Sequence, residues 1–172
     1  MDALECINSR RSIRKYKNKT IPSGIVRKLI IAGMNAPSAY NSQPWIFILI
    51  KNQKTKNIII EAKGGSQFIM KAPLIIACCY DENKSPDKYH NIENVSLAAE
   101  NILLAAHVLR LGACYIGAFD PENLKVEKKI SEALNLPKNV HLVSLISIGY
   151  PDELPKSKKM KKYSEVIRIE HY

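Results

Sequence analysis

The run WIFILI at 45–50 is apolar at every position, and PLIIACCY at 73–80 nearly so. Strands of that kind lie beneath cover on both faces. In IPSGIVRKLIIAGMNAP the period changes: Ile25, Val26, Leu29 and Ile30 fall on one helical stripe. Pro22 and Ser23 suit a helix start, and Pro37 with its polar followers ends it. Residues 53–62 also carry helical spacing. The longest helical stretch, 91–111, is apolar around nearly its whole circumference, so it belongs in a core or under a second subunit. Gly112 is expected to stop it. A short first helix capped by Asp2, a short strand ACYIG, a helix over roughly 121–134 and a strand HLVSLISIGY complete the pattern. The tail SEVIRIEHY alternates, with Ile167 and Ile169 on one side, and predicts an edge strand. No repeat or flexible linker interrupts 1–172. The expectation is one domain, α/β or α+β, with a sheet layered by helices.

Composition adds limits. An apolar fraction of 46% and a charged fraction of 24% are ordinary for a globular chain. No apolar run reaches the roughly 18–20 residues of a membrane helix, and MDALECINSR has no secretory pattern, so a cytoplasmic location is expected. Cys6, Cys78, Cys79 and Cys114 include no C-x-x-C pair, which argues for buried, reduced thiols rather than a zinc site. The net charge of +10 stands out. Its excess lies near the ends, in RRSIRKYKNK and KSKKMKKY, without the spaced aromatics of an RNA-binding module.

Two stretches concentrate chemistry. RRSIR sets Arg10, Arg11 and Arg14 around Ser12. Planar guanidinium donors and a hydroxyl suit phosphate, and the same charges also suit a solvated helix end. APSAYNSQPWIF places Ser38, Asn41, Ser42 and Gln43 in a loop between helix and strand. Their amides can read the edge of a heterocycle, while Trp45 is expected in the core.

In that order and at those distances, RRSIRKY, APSAYNSQPWIF, RLGACYIGAFDPENL and ISIGYP resemble the nitroreductase family of FMN-dependent oxidoreductases over essentially the whole chain. The resemblance implies an α+β, three-layer nitroreductase-like fold, with a central, mainly antiparallel sheet flanked by helices, assembled as a homodimer. It implies that Arg10, Arg11, Ser12 and Arg14 hold the phosphate and ribityl chain of FMN, with Arg14 near the pyrimidine edge. Pro37, Ser38, Ala39, Asn41 and Gln43 would come from the other subunit, and Ile116 and Gly117 would lie over flavin N5. Lys161 and Lys162 would complete the phosphate site. Tyr40 and His90 are candidates for meeting substrate. The connection DENKSPDKYHN is short where relatives carry a longer cover, which implies an open pocket. Nothing in AKGGSQ answers to the asparagine and lysine of some relatives.

The activity implied is ping-pong transfer of a hydride from NADH or NADPH to the flavin, then of two electrons to a nitroaromatic, quinone or similar small acceptor. No protein nucleophile is required. His107 is expected to be a satisfied core histidine, and Glu100 and Asn101 to bond at an interface or in solvent. Two rivals predict otherwise: a specialised flavoenzyme of the same fold (a reductive dehalogenase or flavin-consuming enzyme), and a basic nucleic-acid-binding module. The resemblance itself implies neither a nucleic-acid nor a membrane partner.

Overall fold

A computed structural model describes residues 1–86, 89–120, 124–155 and 157–172. Its centre is a four-stranded antiparallel sheet: β1 (Trp45–Ile50), β2 (Leu74–Asp81), β3 (Gly112–Gly117) and β4 (Val140–Gly149), in the order β1-β2-β4-β3. Helices α2 (Ser23–Met34) and α5 (Asn91–Val108) cover one face, and α3 (Gln53–Ala62) and α6 (Lys125–Ala133) the other. The period of β2 shows why its run must be apolar throughout. Leu74, Ile76 and Cys78 enter the core beneath α2 and α5, and Ile75, Ala77 and Cys79 enter the opposite one. A bulge between Cys78 and Cys79 shifts the pairing with β4, so Cys78 faces Ser144 and Cys79 faces Leu142.

Helix starts follow local chemistry. Asp2 Oδ1 accepts from the Glu5 amide and begins α1 (Ala3–Ser9), and Asn52 Oδ1 accepts from Lys54 and Thr55 at the head of α3. The four cysteines are free and buried.

WIFILI is covered on both faces as expected, Trp45 and Phe47 in the core beneath α2 and α5 and Ile46, Ile48 and Ile50 in the opposite one, although among the described residues β1 pairs only with β2 and Leu49 is 45% exposed. Three expectations shift. Helix α5 ends at Val108, and its left-handed turn falls on Arg110 (φ 60°), while Gly112 already begins β3. The helix expected over roughly 121–134 runs Lys125–Ala133, and residues 121–123 lie outside the described residues. The tail is not a strand. It forms a four-residue helix, α7 (Tyr163–Val166), then irregular chain, and every residue from 157 to 172 is exposed. A strand needs a free sheet edge beside it, and the tail lies against none of its own.

Candidate functional site

Residues 10–17 run in extended form along the end of the sheet. Ile13 N–H donates to Ala113 O at 3.0 Å, Lys17 N–H to Tyr150 O at 2.9 Å, and Asp152 N–H to Lys15 O at 2.9 Å. Two apolar anchors fix the segment: Ile13 and Tyr16 are each 6% exposed. The Tyr16 hydroxyl donates to Ile13 O at 2.5 Å and meets Ser147 Oγ at 2.7 Å. Around these anchors the polar side chains line a cleft of about 520 Å³ formed by Arg10, Arg11, Ser12, Arg14, Glu153, Leu154, Pro155 and Lys158.

The cleft is strongly positive. Its one carboxylate, Glu153, is committed to main chain, accepting from Arg14 N–H at 2.5 Å and Lys15 N–H at 3.0 Å. Arg10 Nε lies 3.5 Å from Glu100 Oε1, and Arg11 donates to the carbonyls of Asn8 and Arg10. Arg14 carries its guanidinium 5.9 Å from the centre of the Phe68 ring, and Phe68 opens the short helix α4 (Phe68–Lys71). The Cys114 thiol sits beneath Ser12 and Arg14. Burial pushes its pKa up, against the pull of Arg14 and of hydrogen bonds from both side chains. It is a buried neighbour of the cleft and does not line it.

The loop at 37–43 is a second centre. Tyr40, Asn41 and Gln43 take positive φ of 56°, 53° and 46°. Left-handed backbone at non-glycine residues costs of order 1–3 kcal/mol each and persists only where surroundings enforce it. The enforcement is visible: Asn94 Oδ1 accepts from Ala39 N–H at 2.9 Å, Ser38 Oγ from Gln43 N–H at 3.0 Å, and Asn41 Oδ1 from Gln43 Nε2 at 3.1 Å. Tyr40 is thrust out, 80% exposed. Pro37, Ser38 and Ala39 share a shallow pocket with His90, which also lies 4.0 Å from Glu93. Beneath the loop, Ser42 Oγ and Asn94 Nδ2 are buried without a partner.

At the end of β3, Ile116 is 7% exposed and packs in the core, so only its main chain can meet a ligand. Gly117 has nothing within 4 Å of where a Cβ would stand, leaving its outer face clear for a flat ring. Lys63 Nζ donates to Gly117 O at 2.6 Å. Its place in AKGGSQ gave no hint of this; the only signal is the turn of Gly64 and Gly65, with φ 65° and 114°, that follows it.

The chain therefore gathers Arg10, Arg11, Ser12 and Arg14 in one cleft, and Pro37, Ser38 and Ala39 with His90 in another, with no lining residue in common. Lys161 and Lys162 line neither. Both are exposed, and Lys162 N–H donates to Glu165 Oε2 at 3.2 Å. Lys158 stands in the arginine cleft instead, a residue that the uniform lysine run conceals.

The geometry defines an α+β protein with a cationic cleft at one end of its sheet. The sequence pattern of the Nitroreductase family matches residues 7–63 and 59–150, and the chain belongs to that family of oxidoreductases. A chain of Methanothermobacter thermautotrophicus provisionally named NADH dehydrogenase/NAD(P)H nitroreductase is 36% identical over 160 residues, 93% of this chain and 83% of that one. The structure of an FMN-dependent nitroreductase from Clostridium difficile superimposes with a TM-score of 0.83 at 31% identity, covering 98% of this chain and 99% of the other. A nitroreductase-type protein from Desulfovibrio desulfuricans, crystallised in complex with FMN, does so with a TM-score of 0.87 at 26% identity, covering 100% and 99%.

Proposed function

We propose that this chain is an FMN-dependent NAD(P)H oxidoreductase working as a homodimer. The observation that carries the reading is the arginine cleft. Its cations outnumber its one carboxylate, and that carboxylate is spent on backbone amides. A phosphomonoester dianion fits that donor set. Arg10, Ser12, Arg14 and Lys158 would hold the phosphate end, with Arg11 bracing the loop that carries Arg10. Gly117 leaves space for the ring system, and Arg14 and Lys63 would lay positive charge along its edge. FMN, when bound, would supply the redox chemistry, taking a hydride from NADH or NADPH and delivering two electrons to a nitroaromatic, quinone or related acceptor in a ping-pong cycle.

The loop residues Pro37, Ser38, Ala39, Asn41 and Gln43, with Tyr40 exposed for stacking, would reach the flavin of a second copy. His90 beside them would meet the acceptor. Exposed apolar side chains support the dimer: Leu4 and Ile7 on α1, Leu97 and Val108 on α5, and the tail beyond residue 157. One observation counts against the nucleic-acid reading: RRSIRKY is pinned to the sheet by Ile13 and Tyr16 rather than free as a basic arm. No helix among the described residues is long and apolar enough to cross a membrane.

The purified protein is expected to be yellow, or to take up added FMN, and its flavin spectrum to bleach with NADH or NADPH and recover with a quinone. Replacing both Arg10 and Arg14 with alanine removes two charge-assisted contacts, each of about 1.5–3 kcal/mol, so FMN affinity falls about a hundredfold or more. The circular dichroism spectrum should stay unchanged. A double variant that keeps its flavin would refute the site.

A further inference from the structure

A second basic cavity, of about 510 Å³, opens where the chain enters α2, α3 and β2. It shares no lining residue with the arginine cleft. Lys19, Lys51, Lys56 and Lys71 all line it, and no aspartate or glutamate does. Lys56 is the unusual member. It lies on α3 and is only 2% exposed, and its ammonium donates to Ala72 O at 2.6 Å. Burial alone lowers its pKa; no neighbouring carboxylate acts to raise it. An ammonium carries three donors, and Ala72 accounts for one. A buried charge without a counter-charge is costly, so a fold retains one only where something compensates.

A plainer role exists for Lys56. Ala72 closes α4, and a lysine on that carbonyl would cap a short helix. Capping does not explain why three more lysines line the same cavity without an acid. Lys19 rests 4.4 Å from the centre of the Tyr150 ring rather than beside a carboxylate. Lys51 and Lys71 are exposed. The remaining wall is mixed: Thr20 and Gln53 offer polar groups, Ile21 and Met70 apolar ones. A compact dianion with an organic body matches four point charges against such a wall, and the volume lies in the ordinary range for a small-molecule site.

We propose that this cavity is a binding site for a phosphomonoester of nucleotide size, its phosphate held by Lys56, Lys71 and Lys19 and its organic body against Ile21 and Met70. A concave cavity with one buried lysine at its base, rather than a basic stripe across the surface, points to a small molecule and not to a polymer.

The test is calorimetric titration of the FMN-loaded protein with AMP, and with adenosine as the uncharged control. AMP is expected to bind once per chain, more weakly as salt rises, and adenosine not at all. Lys19→Gln combined with Lys71→Gln changes only exposed side chains and should weaken AMP at least about tenfold, with flavin content unchanged. Lys56→Met keeps a chain of similar length in the slot; it should abolish AMP binding while holding or raising the melting temperature. AMP should still bind the Arg10→Ala/Arg14→Ala variant, so failure of the flavin reading and failure of this one are told apart. The proposal is overturned if AMP does not bind the loaded protein, if it binds the lysine variants as tightly as the parent, or if the arginine variant alone abolishes it.

Discussion

Gly112 follows a long apolar helix, and that position reads as a stop signal. In the fold the left-handed turn belongs to Arg110, and Gly112 serves a different need. A Cβ at Gly112 would stand 2.6 Å from Cγ2 and 2.7 Å from Cβ of Ile13. Ile13 is buried and bonded through its amide to Ala113, so it has little room to yield. Gly112→Ala should therefore lift the arginine segment from β3, cost about 1–3 kcal/mol, and weaken FMN along with the melting temperature. An alanine variant that melts like the parent would show that the contact relaxes freely. The glycine was legible in the sequence but its partner was not, since nothing local ties residue 112 to residue 13. His107 is a similar case. Its Nε2 lies 2.8 Å from Ser9 Oγ, and its pKa is held below 6.5 by burial first, then by Arg10, Arg110 and Arg11, against a weaker pull from Glu5. As pH falls through about 6.5, the unfolded chain takes up a proton that the folded one resists, so this contribution to stability is whole above that pH and lost below it. His107→Gln should flatten the melting temperature between about pH 7.5 and about pH 5.5. An equal loss in parent and variant would remove His107 from the account.

Elements whose pattern and partner both lie within the chain described match their expectations closely. Residues 53–62 fold as α3 over that span, and the stripe of Ile25, Val26, Leu29 and Ile30 faces α5 and the sheet in α2. The misread elements are those whose surroundings do not belong to the pattern itself. WIFILI is covered on both faces as its run implies, but its edge position, which the run does not encode, leaves Leu49 exposed. SEVIRIEHY alternates as an edge strand should, yet among the described residues its backbone finds only neighbours such as Tyr163 O and Ile169 O. Tyr163, Val166 and Ile169 are 76%, 60% and 83% exposed, an apolar array with no cover in its own chain. Such an array calls for another surface, and the second copy proposed above supplies one. Deleting residues 159–172 spares Lys158 in the cleft, so the shortened chain should keep its sheet and helices by circular dichroism. Its mass by light scattering should move from dimer toward monomer. A shortened chain that remains wholly dimeric would place the interface elsewhere.

For the whole molecule, the charge of +10 proves less informative than its distribution. The N-terminal arginines are drawn into a cleft, four lysines surround a second cavity, and the C-terminal lysines beyond Lys158 stay in solvent. That Arg10, Arg11, Ser12 and Arg14 share one cleft was legible in their spacing, but that Lys158 joins them was not, because one lysine in such a run looks like the next. Division of the site is the larger structural point. The arginine cleft and the pocket of Pro37, Ser38, Ala39 and His90 have no lining residue in common, and each lacks what the other offers: phosphate donors in one, the loop with its amide groups and exposed Tyr40 beside the other. If each flavin is held by the arginines of one chain and the loop of its partner, two defective chains can repair one another. Chains carrying Arg10→Ala and Arg14→Ala, mixed with chains carrying Ser38→Ala and Asn41→Ala, would form heterodimers in which one site receives both defects and the other neither. Each parent variant alone should bind FMN poorly at both sites. The purified heterodimer should bind one FMN per two chains with the affinity of the unaltered protein, read by flavin fluorescence quenching against protein concentration. A site built within one chain predicts no repair, since every cleft in the heterodimer would then carry one defect, and a heterodimer as poor as its parents would overturn the shared arrangement.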